Sequence, residues 1–188
     1  METIAIQTAS ANLTEEQFFC LCADNKELRI ERDKNKNIIV MSPTGSLTGS
    51  LHADILRQLA NWNYKYKFGK VFDSSAGFTL PNSAVRAADV AWIAKERWEK
   101  VPQKDKERFA HICPDFVIEV LSKTDSLKAT KEKMEEWIIN GCRLAWLIDI
   151  NKKTVYVYKP NAAIEIKNFA QQLSGEDVLP KFKLDLVK

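Results

Sequence analysis

Residues 143–150, RLAWLIDI, form a nearly unbroken apolar run. A strand of that composition leaves neither face to water, so it belongs at the centre of a sheet covered on both sides. A second run, DFVIEVLS at 115–122, follows Pro114 and carries the strongest strand signal in the chain. Two long helices are predicted beside these strands. Over 48–66, Leu51, Ile55, Leu59, Trp62 and Tyr66 recur at steps of three and four, with Gly69 ending the helix. Over 124–140 the buried stripe is Leu127, Met134, Trp137 and Ile138, and Gly141 is placed to cap the C-terminus. Strands flanked by two long helices predict an α/β sandwich around a mixed sheet.

Shorter elements fill in the order. LTEEQFFCLCA at 13–23 reads as a helix with a capping box between Thr14 and Gln17. Residues 27–41 read as two strands around a polar Asp33–Asn37 turn, and Pro43 and Gly45 then break the chain. VFDSSAGFTL (71–80) and VRAADVAWIA (85–94), joined across Pro81–Ser83, read as an antiparallel pair. Residues 95–110 are charged and solvated, and VYVYK (155–159) opens a β-rich tail. The chain has 188 residues, 45% apolar and 28% charged. That is globular composition and one domain's worth of length, expected to span 1–188.

Several function classes lose support. No G-x-x-x-x-G-K-[ST], G-x-G-x-x-G or G-x-S-x-G is present, against NTPase, dinucleotide and serine-hydrolase chemistry. Cys20, Cys22, Cys113 and Cys142 lack C-x2-C spacing, and only His52 and His111 could complete a zinc site. Cys20 and Cys22 lie in FFCLCA and read as core filler. METIAIQTAS has neither the basic start nor the apolar run of a secretory leader, and no stretch is long enough to span a membrane. The expected setting is cytoplasmic, with free thiols. A net charge of +3 is too small to argue for nucleic acid by itself.

Two carboxylates stand out against this background. Asp89 sits in AADVAWI and Glu119 in FVIEVL. An ionised carboxylate in such a strand is costly unless it is paired or holds a cation. Strand parity puts Asp115, Val117, Glu119 and Leu121 on one face, and adjacent strands could bring Asp89 and Glu119 to one ion. Hard oxygen ligands favour Mg2+ or Mn2+. Lys133 shares a helix face with Thr130 and Trp137, from which its ammonium can reach the sheet. The bland alternative is that Arg86 or Lys133 simply neutralises these acids. Ser122 reads as the cap of the following helix, and Asp115 as either a helper of Glu119 or an exposed residue.

The stretches MSPTGSLTG, FDSSAGFTLPNSAVRAADVAWI, CPDFVIEVLSKTDSL and KMEEWIINGCRLAWLIDI resemble the Uma-two family of restriction endonucleases. That family is abundant in cyanobacteria and belongs to the PD-(D/E)XK nuclease superfamily. The resemblance covers residues 15–185, nearly the whole chain. It implies an α/β fold with a restriction-endonuclease-like core, an N-terminal helix and a β-hairpin. It implies that Asp89 and Glu119 are the two half-motif acids and ligate Mg2+ (Mn2+ in its place), and that Lys133 is the catalytic lysine, moved from strand to helix. His52 falls near a position that often carries an auxiliary active-site group. Three departures stand out: Ala88 replaces the motif proline, Leu121 occupies the strand-lysine position, and Leu144-Ala145-Trp146 replaces Glu-Tyr-Trp.

The leading expectation is therefore a metal-dependent DNA endonuclease that hydrolyses phosphodiester bonds, acting as a homodimer on duplex DNA. The alternative is a catalytically weak nuclease-fold module that binds DNA or regulates. A third reading makes the acids salt-bridged parts of a scaffold.

Overall fold

A computed structural model describes residues 3–6, 13–123 and 125–186, with side chains described from residue 13 onward. Strand β1 (Thr3–Ile6) precedes helix α1 (Glu15–Asp24), then β2 (Arg29–Arg32), β3 (Ile38–Met41) and the long helix α2 (Ser46–Tyr66). Next come β4 (Gly69–Asp73), β5 (Phe78–Thr79), β6 (Val85–Arg86), β7 (Val90–Ala94), and the short helices α3 (Lys95–Glu99) and α4 (Gln103–Lys106). Strand β8 (Phe116–Leu121), helix α5 (Leu127–Ile139) and β9 (Leu144–Asp149) follow. The chain finishes with β10 (Thr154–Tyr158), β11 (Glu165–Asn168), β12 (Leu173–Ser174) and β13 (Lys183–Leu184).

The main sheet has the order β11-β10-β9-β8-β7-β4. Strands β8 and β9 run parallel, joined through α5, and the other pairs are antiparallel, so the sheet is mixed. Every residue of β8 and β9 is buried, as their apolar composition requires. Strand alternation divides the core in two. Phe116, Ile118, Val120, Val90, Trp92 and Trp146 pack beneath Ile55, Leu59 and Trp62 of α2. Val117, Leu121, Ala91, Ala145 and Leu147 pack beneath Met134 and Trp137 of α5.

A second sheet, β1-β3-β2-β6-β5, stands beside the first. Its Ile30, Ile38 and Val40 pack against Phe18 of α1. Alternation turns Arg29, Glu31, Ile39 and Met41 the other way, into a cleft against α5. The predicted capping box is present: Thr14 Oγ1 accepts from Gln17 N at 3.2 Å, and Gln17 Oε1 accepts from Thr14 N at 2.9 Å.

Several expectations need correction. The pair 71–80 and 85–94 is antiparallel, but each run divides between the sheets. β4 pairs β7 in the main sheet, while β5 pairs β6 in the second. The junction between β6 and β7 carries Asp89. Gly69 does not end α2; Lys67 does, with left-handed φ of 55°. Gly69 instead opens β4, where an added Cβ would stand 2.1 Å from the Ile93 carbonyl oxygen. Helix α5 starts at Leu127, with Ser126 capping Ala129 N at 3.3 Å. Ser122 is not its cap: its N–H donates to Asp125 Oδ2 at 2.7 Å. The expected start of that helix at Thr124 lies outside the described residues. Cys20 is exposed and fills no core, while Cys22 is half-buried and packs against the Phe18, Ile38 and Val85 cluster.

Candidate active site

Val90 of β7 pairs with Ile118 of β8, so the antiparallel register sets Asp89 opposite Glu119. Both side chains are nearly buried. Asp89 Oδ2 accepts a hydrogen bond from Val120 N at 2.8 Å, which holds the carboxylate one residue from Glu119. Lys133 crosses from α5 and forms an ion pair with Glu119, Nζ standing 2.9 Å from Oε1. Trp137, one turn further along α5, donates its indole N–H to the same oxygen at 3.0 Å. The shared face of Lys133 and Trp137 is thus the face that meets Glu119. Glu119 Oε2 has no protein donor among the described residues. Asp89, Glu119 and Lys133 all line the cleft, whose volume is about 1000 Å3.

His52 projects from α2 and brings Nε2 to 3.6 Å from Asp89 Oδ2. Arg29 of β2 brings Nη2 to 3.7 Å from Asp89 Oδ1. Both separations exceed a good hydrogen bond. His52 Nε2 and Arg29 Nε are buried and have no hydrogen-bond partner in the protein. Asp89 thus stands within ion-pair range of Arg29 and close to His52.

Glu31 is the site residue that sequence reasoning missed. It is 2% exposed, and its Oε1 accepts from Lys133 at 2.8 Å and from Ala87 N at 3.1 Å. Arg86 donates to Glu31 Oε2 at 3.0 Å and to Glu136 Oε2 at 2.6 Å. Arg86 thus serves Glu31 and Glu136 and is not the partner of Asp89 or Glu119. Period-two alternation in RIER already set Arg29 and Glu31 on one face; nothing local to the sequence told that this face is covered.

Electrostatics separate the two acids that share Lys133. Burial pushes Glu119 up to about 7; Lys133 pulls it down, but Asp89 and Glu31 push it up again. Glu31 is buried too, yet Lys133 and Arg86 together hold it below the ordinary carboxylate value. Lys133 is raised, because two carboxylates outweigh the burial that would neutralise it. One ammonium thus serves two acids, and Glu119, without a second cation, is the one left short of positive charge.

Asp115 takes no part. It is fully buried at the far end of β8, accepting from Ala94 N at 2.9 Å and pairing with Arg97 at 2.9 Å. It is neither exposed nor a helper of Glu119. Among the described residues, no group of three or more His, Cys, Asp and Glu side chains is arranged to hold a metal ion. The donor set at the site is two carboxylates. No described helix is long and apolar enough to cross a membrane.

The fold recurs in a crystal structure of a putative nuclease belonging to DUF820 from Anabaena variabilis. The TM-score is 0.74 at 20% identity, covering 92% of this chain and 94% of that one. At that identity the likeness establishes the fold, an α/β core around a mixed sheet. Residues 15–187 match the Uma2 family, described as "Putative restriction endonuclease", and the chain belongs to that family. Its class is accordingly that of a nuclease. No curated protein gives a significant match.

Proposed function

We propose that the chain is a metal-dependent DNA endonuclease whose active site is Asp89, Glu119 and Lys133. The observation that carries this reading is their convergence. Two carboxylates from neighbouring strands meet one lysine in the wall of an open cleft, with Glu119 Oε2 unused. A salt-bridged scaffold also pairs Lys133 with Glu119, and Arg29 with Asp89, but it gives no reason to leave Glu119 Oε2 without a donor.

Two carboxylates fit Mg2+, which binds through one or two such groups and keeps its remaining positions for water and phosphate oxygens. Asp89 and Glu119 are the residues that would hold it, and Mn2+ would substitute. Bound there, the ion supplies Lewis acidity toward a water and a phosphoryl oxygen. Lys133 donates a hydrogen bond where negative charge grows on the phosphate. Arg29, partly exposed on the cleft wall, supplies positive charge toward a bound phosphate, and His52 stands beside Asp89 from α2. Cleaving both strands of a duplex takes two such sites, so the acting form is a homodimer.

One observation favours the catalytically weak alternative. Lys133 is held by protein partners, hydrogen-bonded to Glu31 and the Ala87 carbonyl and ion-paired with Glu119, and Leu121 fills the strand position from which the motif lysine is displaced. Nicking of supercoiled plasmid in Mg2+ or Mn2+ decides between them. The endonuclease reading expects cutting by wild type, with Glu119→Ala and Lys133→Ala each slowing it by about 100-fold or more. Wild type that binds DNA without cutting it supports the weak module.

A further inference from the structure

Lys133 reaches the site from a helix, on a flexible four-carbon stem, and its ammonium carries three N–H bonds. Glu31 Oε1 takes one at 2.8 Å and the Ala87 carbonyl takes another at 2.9 Å, while Glu119 Oε1 stands 2.9 Å from the ammonium as its ion-pair partner. Two acceptors therefore fix the direction of the third bond. Glu31 is itself fixed, by Arg86 on Oε2 and by Ala87 N on Oε1. The peptide groups on both sides of Ala87 are pinned, one by Glu31 and one by Lys133, two residues before Asp89.

We infer that Glu31 is a positioning residue of this site. Together with the Ala87 carbonyl it anchors Lys133 and aims the third N–H at Glu119 and at a phosphodiester bound beside it. It also ties the Asp89 segment to the second sheet. The inference rests on the nuclease reading for its catalytic consequence, and on geometry alone for the placement of the lysine. The competing role is purely structural: Glu31 would only neutralise two buried cations. Glu136 supplies the control, because it bonds the same Arg86 but does not touch Lys133.

The test compares Glu31→Gln with Glu136→Gln in steady-state cleavage of a duplex oligonucleotide in Mg2+. A second readout is the 1H–15N signal of the Lys133 ammonium in the metal-free protein, assigned by its disappearance in Lys133→Arg. A misaimed group costs about 100-fold in rate, so Glu31→Gln is expected to lower kcat by about 100-fold. KM for DNA should stay within about twofold, since the lysine acts in the transition state. Glu136→Gln should keep wild-type kcat. The Lys133 signal should persist in wild type and Glu136→Gln and vanish in Glu31→Gln. Equal losses of kcat in the two variants, or an unchanged Lys133 signal in Glu31→Gln, would overturn the inference. If wild type does not cut, the nuclease reading falls, and the ammonium spectrum still decides whether Glu31 places the lysine.

Discussion

Glu119 shows how one residue can weaken a fold that houses it. Its pKa is raised from the ordinary 4.5 to about 7, so the folded chain holds this proton more tightly than the unfolded chain. The stability it contributes is full below pH 4.5 and is lost as pH rises through 7. Glu119→Gln should therefore stabilise the metal-free protein at pH 8, on the order of 2 kcal/mol, while removing metal affinity. Denaturant melts at pH 8 check the first part; a destabilised variant contradicts it. A cation competes with the same proton, so Mn2+ affinity should fall about tenfold per unit of pH below 7. Asp89 and Glu119 were legible in the sequence because apolar neighbours make an acid conspicuous. Glu31 was not, because Arg29, Arg32 and Asp33 around it look like a solvated hairpin. Its burial comes from α5, about a hundred residues away in sequence.

Among elements, the strands that lead up to Asp89 are the least regular. The alternation of 71–80 and 85–94 predicted an antiparallel pair, but not its division between two sheets. That division depends on where the second sheet ends against the first, which local propensity does not encode. The long helices and the all-apolar strands β8 and β9 were legible because their periodicity persists for many residues. Strand β1 was not read, since nothing in METIAIQTAS signals a partner in β3. The close approach of β4 to β7 rests on Gly69. Gly69→Ala sets a Cβ 2.1 Å from the Ile93 carbonyl oxygen and against the Trp92 ring. It should destabilise by about 2–4 kcal/mol, read as a lower denaturation midpoint. An unchanged midpoint would mean that β4 shifts freely, and that this edge does not hold the Asp89 strand.

At the scale of the whole molecule, the cleft lies where the cleft face of the second sheet meets α5 and the edge carrying Asp89 and Glu119. Eight acidic and four basic side chains line it, although the chain as a whole is basic at +3. Such a wall repels phosphates until cations neutralise it. Duplex affinity should thus rise about tenfold or more when Ca2+ replaces EDTA, measured by fluorescence anisotropy; equal affinities would contradict a metal-first order. The net charge alone concealed this, because it averages the cleft with the lysine-rich remainder. Everything returns to whether Asp89 and Glu119 hold a cation or only balance Lys133. Calorimetric titration of the metal-free protein with Mn2+ tests that most directly. The expected result is one ion per chain, lost in both Asp89→Ala and Glu119→Ala and kept in Lys133→Ala. No binding by wild type, or binding that survives Glu119→Ala, would contradict the account.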